Sequence, residues 1–374
     1  MSHLLGSAKI EMLPGWLVGI PKAIQSGDHT MRRYGNLYEK ICDFENLNLA
    51  FHKVSKGRRY YGDILQYKDM LEENLIALQR ELINKTYTPS PYRTFTLYEP
   101  KKRIIYVSPV KDRIVHHAIM NIVEPIWNSL FIYDSYACRT DKGTHAGVKR
   151  TVEFLRRSQQ EWEKLYCLKC DITKFFPSIN HHTMLKIITQ KIKCRETMWL
   201  FERIIFNNTN DRGDPESKDM PIGNLISQWG ANLYLNELDQ YVKHTLKAKY
   251  YIRYMDDFLI LHGDHKELHG LKRKISGFLN NYLKLGLNPK SDIYPVNRGI
   301  DFLGYRIWYN NILLRKSSLI RAARRFKKLS KTYKQGLISL FNVKCSLFSW
   351  LGHCQHANVK RGAILCLEHL VLSR

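Results

Sequence analysis

The stretch Lys249-Tyr-Tyr-Ile-Arg-Tyr-Met-Asp-Asp-Phe-Leu-Ile-Leu-His262 reads as strand, tight turn, strand, with Asp256 and Asp257 at the bend. Two adjacent acids in an apolar hairpin repel each other and lose solvation, so the segment is costly unless a cation meets it. A second apolar strand, from Leu165 to Ile172, ends on one acid, Asp171. The period of two puts Cys167, Lys169 and Asp171 on one face and Leu168, Cys170 and Ile172 on the other. The Cys-x-x-Cys within it is therefore neither a zinc knuckle nor a redox pair. If the hairpin lies beside this strand, three carboxylates converge. Hard oxygen ligands of this kind suit two Mg²⁺ ions, with Mn²⁺ as a substitute, held ~4 Å apart across an in-line phosphoryl displacement. An isolated Asp-Asp pair is ordinarily just a polar turn; the flanking strands and the matching Asp171 segment set this one apart.

Charge points the same way. The 374 residues carry 59 Lys and Arg against 34 Asp and Glu, a formal +25. From Arg306 to Arg374 there are fourteen basic residues and one acid, Glu368, so more than half of the excess lies in the last fifth of the chain. Such self-repulsion needs an anionic partner, nucleic acid first and an anionic membrane surface well behind. Ser317 and Ser318 are expected to cap a helix with Leu319, Ala323, Phe326, Leu329 and Tyr333 on its packed side. Its other faces carry Arg321, Arg324, Arg325, Lys328, Lys331 and Lys334, which suits tracking a phosphate backbone.

No apolar run approaches the roughly 20 residues that span a bilayer. Residues 12–20 contain Pro14, Gly15 and Gly19 and make a poor signal peptide, so a cytoplasmic protein is expected. Eight scattered cysteines read as reduced core residues rather than a disulfide framework. His353-Cys354-x-His356 lacks a second ligand pair for zinc, and His116-His117 suits packing or RNA contact better than catalysis.

Along the chain, residues 1–35 read as a loosely attached extension in which Met31 is an alternative start. Residues 36–84 are helical in pattern, 87–107 short strands or a hairpin, 112–127 and 150–162 helices. Residues 183–206 are helical again, and 207–219 form a polar loop.

Taken in order, these pieces resemble the motifs of reverse transcriptases. Tyr254-Met-Asp-Asp-Phe258 resembles the catalytic hairpin, and Asp171 with Phe175-Phe176 the first carboxylate motif. Met220-Pro-Ile-Gly-Asn-Leu-Ile-Ser-Gln228 resembles the template grip, Gly286-Leu-Asn-Pro-Lys290 the lysine-bearing loop and Asp301-Phe-Leu-Gly-Tyr-Arg306 the primer grip. The ordered set spans roughly residues 36–361. Within the family the chain is most similar to bacterial reverse transcriptases of diversity-generating retroelements. That likeness rests on residues 222–228 together with Asp112-Arg-Ile-Val-His-His-Ala118, Asp134-Ser-Tyr-Ala-Cys-Arg139, Lys142-Gly-Thr-His145 and Ser349-Trp-Leu-Gly-His353.

The resemblance implies an α+β right-hand polymerase. After the extension at 1–35 come fingers with part of the palm at 36–164. A palm with a small antiparallel sheet follows at 165–305, including a loop insertion at 207–220, and then a basic helical thumb at 306–374. It implies Asp171, Asp256 and Asp257 as catalytic acids, with Ile172 beside them in the metal set, and Lys290 as proton donor to pyrophosphate. Lys102 and Arg103, with Phe176, Ile222 and Gly223, would hold the incoming nucleotide; Lys101, Lys111 and Arg113 are weaker candidates. Phe176 would exclude a 2′-hydroxyl, Ile222 would weaken checking of the new pair, and Gly223 would let backbone approach it. Phe175 reads as core.

Asn224, Ser227 and Gln228, on a helix whose Ser227 and Ala231 continue a narrow polar face, would contact template. Tyr305 and Arg306 would grip the primer, and Arg321, Arg324, Arg325 and Lys328 the duplex. Implied partners are a template or non-coding RNA, the cDNA/RNA duplex, dNTPs, and a small basic accessory protein or a homo-oligomer. Copying would be error-prone, particularly at adenines. Three rivals compete with this reading: an antiviral-defence reverse transcriptase, an RNA-dependent RNA polymerase and a non-catalytic RNA-binding scaffold.

Overall fold

A computed structural model describes residues 33–98, 101–207 and 213–372. Most of the proposed extension and part of the 207–220 loop lie outside the described residues. Tyr34 does not belong to a loose extension, because it pairs with Ile192 through backbone bonds to Lys191 and Lys193 of 2.7 and 2.8 Å.

Four helices come first: α1 (Tyr38–Cys42), α2 (Phe44–Ser55), α3 (Gly62–Asp69) and α4 (Leu71–Ile83). An antiparallel hairpin of β1 (Arg93–Leu97) and β2 (Arg103–Val107) follows, then α5 (Val110–Asn128) and α6 (Thr144–Glu161). Next are β3 (Tyr166–Cys170), α7 (Phe175–Ser178), α8 (His181–Thr189), α9 (Arg195–Ile205) and α10 (Leu225–Gln240). The chain continues through β4 (Tyr250–Tyr254), β5 (Asp257–His262), α11 (His265–Leu283), β6 (Asp292–Pro295), β7 (Ile300–Phe302), β8 (Tyr305–Ile307) and β9 (Ile312–Leu314). It closes with α12 (Lys316–Lys334), α13 (Leu340–Cys354) and α14 (Lys360–Leu367).

The central sheet is antiparallel throughout, in the order β4-β5-β3-β6. Period-two alternation sends its side chains into two separate cores. Leu168, Cys170, Tyr251, Phe258 and Ile260 join the large cluster built on α2, α5 and α10. Cys167, Tyr250, Ile252, Leu259 and Leu261 join a second one with α6 and the β7-β8-β9 sheet. Both cysteines of the Cys-x-x-Cys are thus buried on opposite faces. The eight cysteines are free, but Cys138 and Cys345 are exposed and so are not core residues.

The three short strands β7, β8 and β9 form one sheet, so a boundary at 306 falls inside β8 and the last helical segment starts at Lys316. In α12 the N-cap is Arg315, and Ser317 and Ser318 lie inside the first turn rather than capping it. Phe326 and Ala322 are buried while Arg321, Arg324, Arg325, Lys328, Lys331 and Lys334 are exposed. Among the described residues no helix is long and apolar enough to cross a membrane.

Candidate functional site

β3 and β5 pair with Cys170 facing Phe258. Extending that register by one residue sets Asp171 directly across from Asp257, while Asp256 occupies the two-residue turn between β4 and β5 with Met255. The three acids therefore meet at one end of the central sheet.

Their electrostatics follow from that meeting. Burial pushes Asp257 up to about 7; Asp171 and Asp256 push the same way, against Lys169 and Arg315. Burial also raises Asp256, with Asp171 adding to the rise and Arg103 and Arg253 opposing it. Lys169 Nζ stands 3.8 Å from Asp257 Oδ2, and Asp257 Oδ1 is buried without a hydrogen-bond partner. An orphaned carboxylate oxygen among all-oxygen donors fits a hard divalent cation. Among the described residues no group of three His, Cys, Asp or Glu side chains already stands close enough to hold an ion. The set Asp171, Ile172, Asp256 and Asp257 is thus collected at one end of the sheet without being drawn to ligand spacing. Ile172 has its side chain buried in the core, so only its backbone carbonyl is a possible donor.

Neighbouring elements fix these acids in place. The loop before β6 runs alongside β3's exit: Ile172 bridges Leu287, and Thr173 N–H donates to Gly286 O at 2.9 Å. Asn288 Nδ2 donates to Asp171 Oδ2 at 2.9 Å, and its N–H donates to Asp171 O at 2.8 Å. Lys290, two residues on, is exposed. On the hairpin, Met255 takes φ +55°, a left-handed conformation that costs a non-glycine residue about 1–2 kcal/mol. Arg253, fully buried, donates to the Met255 carbonyl at 3.1 Å and forks onto Asp239 of α10 at 2.7 and 2.6 Å. Asn288, Arg253 and Asp239 are supports that sequence reasoning missed. Asp239 and Arg253 carry the one available signal, charges inside otherwise apolar segments.

Phe176 is half-buried and packs edge-on against the buried Phe175 at 5.5 Å. Met220 N–H donates to Phe176 O at 3.0 Å, which ties this wall to the segment leading into Ile222. Arg103 and Lys102 are exposed, with Arg103 near enough to influence Asp256. The weaker candidates are already engaged, Lys111 with Glu81 at 2.7 Å and Arg113 with Asp63. His116 is buried and pushed down to about 3 by that burial, so it is a packing residue.

Several expectations need correction. Gly223 has φ +120°, and a Cβ there would lie 2.6 Å from Tyr106 O. Tyr106 N–H donates to Ile222 O at 2.8 Å, so the missing side chain of this exposed glycine makes room for β2. Ser227 and Ala231 are buried inside α10, which is covered on nearly every side, so their small size serves packing and not template contact. Asn224 is buried with its Oδ1 accepting from Ser108 Oγ at 2.6 Å, although its Nδ2 has no partner. Gln228 alone of this set is exposed. Tyr305 is buried with its hydroxyl 2.8 Å from His353 Nδ1, and so it clamps α13 to the β7-β8-β9 sheet. Arg306 donates to Arg298 O at 2.9 Å and lies over Trp308.

Comparison with known proteins adds a family. Residues 95–307 match the description "Reverse transcriptase (RNA-dependent DNA polymerase)". Protein YkfC of Escherichia coli (strain K12) is 29% identical over 68% of this chain and 77% of its own length. The group II intron-encoded protein LtrA of Lactococcus lactis subsp. cremoris is 22% identical over 69% of this chain and 52% of its own length. The putative COX1/OXI3 intron 2 protein of Saccharomyces cerevisiae is 20% identical over 71% of the chain but only 38% of that protein. The chain thus spans about half or less of these intron-encoded relatives. Among solved structures, an apo telomerase from Candida tropicalis truncated from its C-terminal domain aligns at a TM-score of 0.47 with 13% identity, over 64% of this chain and 59% of that one.

Proposed function

The chain belongs to the reverse transcriptase (RNA-dependent DNA polymerase) family, with its right-hand polymerase fold, and from that premise we propose that it copies an RNA template into cDNA at the end of the β3-β5 pair. The observation that carries the site is the register that sets Asp171 across from Asp257 with Asp256 at the adjoining bend. Two divalent ions, Mg²⁺ or in its place Mn²⁺, would be held by Asp171, Asp256 and Asp257 with the Ile172 carbonyl, and would supply charge neutralisation at the reacting phosphate.

The chain's own groups do the rest. Arg103 and Lys102 face the triphosphate, Arg103 through planar two-point contact. Phe176 forms the wall beneath the sugar and rejects a 2′-hydroxyl. Lys290, exposed beyond Asn288, donates a proton to departing pyrophosphate. Gln228 is the template contact available on α10, and Arg321, Arg324, Arg325 and Lys328 of α12 line the duplex. The retention of all three acids speaks against a non-catalytic scaffold.

The biological role we favour is error-prone copying within a diversity-generating retroelement, in the cytoplasm, with a non-coding or template RNA and a small basic accessory protein. Ile222 beside the nascent pair supports it, since an apolar side chain there cannot hydrogen-bond to check pairing. Primer extension on an RNA template tests the chemistry: dNTPs should be incorporated in strong preference to rNTPs, and a preference for rNTPs would make the chain an RNA polymerase. Sequencing the cDNA tests the role. Ile222→Gln should lower the error frequency, and an unchanged frequency contradicts the assignment.

A further inference from the structure

Phe176 is held from behind by a second stretch of chain. Met220 N–H donates to Phe176 O at 3.0 Å, Asp219 N–H to Ile179 O at 3.3 Å and His181 N–H to Ser217 O at 2.9 Å. Asn180 Nδ2 adds a bond to Pro215 O at 2.8 Å, and Asn180 pairs with Lys218 as a short antiparallel bridge. The same Asn180 side chain caps α8 by accepting from Thr183 N–H at 2.8 Å. The residues from Phe176 to His181 are thus laced onto those from Pro215 to Met220.

That second stretch carries a conformation that needs support. Asp219 takes φ +96°, a region that side chains disfavour, one residue before the Met220 N–H that meets Phe176. Such a backbone persists only where its surroundings over-determine it. The imidazole of His181 is fully buried, with Nε2 3.3 Å from Asp219 O and Nδ1 3.0 Å from Ser217 Oγ. A carbonyl can only accept, so Nε2 carries the ring hydrogen and donates it to Asp219 O. Nδ1 is then a lone pair, and the Ser217 hydroxyl donates to it. Both bonds belong to the neutral ring, the form that burial favours here. Phe206 packs edge-on against the ring at 5.1 Å.

We propose that His181 is a positioning residue for sugar selection: by bridging Ser217 and Asp219 across Lys218 it fixes the strained Asp219 and, through Met220, the placement of Phe176. The inference rests on the reading of Phe176 as the wall that rejects a 2′-hydroxyl. Without the ring, Asp219 relaxes toward an ordinary φ and the Met220 N–H turns away from Phe176 O. Phe176 then yields to the extra hydroxyl of a ribonucleotide.

The test uses the full chain extending a primer on an RNA template, and reads the ratio of kcat/KM for a dNTP to that for the matching rNTP. That ratio does not depend on how much of a preparation is folded. His181→Ala should lower it about ten-fold, since a shift of about 1 Å in a positioning group is felt at the reacting centre. The loss should come from better use of the rNTP, with dNTP addition kept within about three-fold. His181→Gln places an amide nitrogen as many bonds from Cβ as Nε2 and should hold the ratio within about two-fold of the unmodified chain. His181→Asn falls short of Asp219 O and should behave like His181→Ala. Phe176→Ala should abolish the preference, and adding His181→Ala to it should change nothing more.

A ratio in His181→Ala within about two-fold of the unmodified chain overturns the proposal. Equal ratios in the Gln and Asn variants overturn it as well, and that comparison decides the matter if alanine prevents folding. A preference for dNTP retained in Phe176→Ala would instead defeat the reading of Phe176 as the wall, and the positioning role would fall with it.

Discussion

Met255 sits at the tip of the β4-β5 hairpin in a left-handed conformation that its side chain disfavours, and Arg253 is the residue that keeps it there. The guanidinium is fully buried, and its pairing with Asp239 is what makes that burial tolerable. Arg253→Ala should therefore cost about 3–5 kcal/mol in a denaturant titration, because Asp239 is left buried and unpaired. The double replacement Arg253→Met with Asp239→Leu should recover much of that stability yet still extend primers slowly, since nothing then holds the Met255 carbonyl. Full activity in the double variant would show that the pair is structural only. Glu237, on the same helix as Asp239, is only partly covered as a residue but has its carboxyl drawn into packed surroundings; burial pushes it up to about 7. An acid whose folded value is raised stabilises most at pH below its ordinary 4.5 and loses that contribution as pH climbs through 7. Glu237→Gln should then melt roughly 2 °C higher than the unmodified chain at pH 8 and at the same temperature at pH 4.5. Equal melting temperatures at both pH values would show that the carboxyl is solvated.

At the scale of elements, the strands around the acids were legible because their signal is local. Alternation in residues 165–172 gives the two faces of β3, and the apolar arms around Asp256 and Asp257 give the hairpin. What those arms pair with is a matter of tertiary order. Asn288 reaches Asp171 only because the loop before β6 runs antiparallel to β3's exit, and nothing in its own surroundings announces that. Helix α10 misled for a related reason. A polar face at helical spacing reads as solvent-facing, but α10 lies in the middle of the large core, where Ser227, Gly230 and Ala231 are small so that neighbours can approach. The turn between β7 and β8 illustrates a third case. Leu303 and Gly304 close it with φ +53° and +90°, and the Tyr305 beside them points into the core and bonds His353. Tyr305→Phe should loosen α13 from the sheet and shorten cDNA products on a long template without changing single-nucleotide addition. Unchanged product length would remove that clamp from the account.

For the whole molecule, charge and topology divide the labour. The central sheet separates two cores and brings three acids to one end, while the excess of positive charge collects on α12 and in the segments after it. An acidic centre on one element set and an excess of cations on another is the distribution expected where a polyanion must be held and copied. Composition alone pointed to an anionic partner, and the ordered motifs pointed to the family. The most direct test of the central claim is primer extension by Asp256→Ala on an RNA template, with RNA affinity measured on the same preparation. Extension should fall below detection while RNA affinity stays within about two-fold, because Asp256 is an acid and supplies none of the cations that bind phosphate. Continued extension by Asp256→Ala would contradict the assignment of the polymerising centre to these three carboxylates.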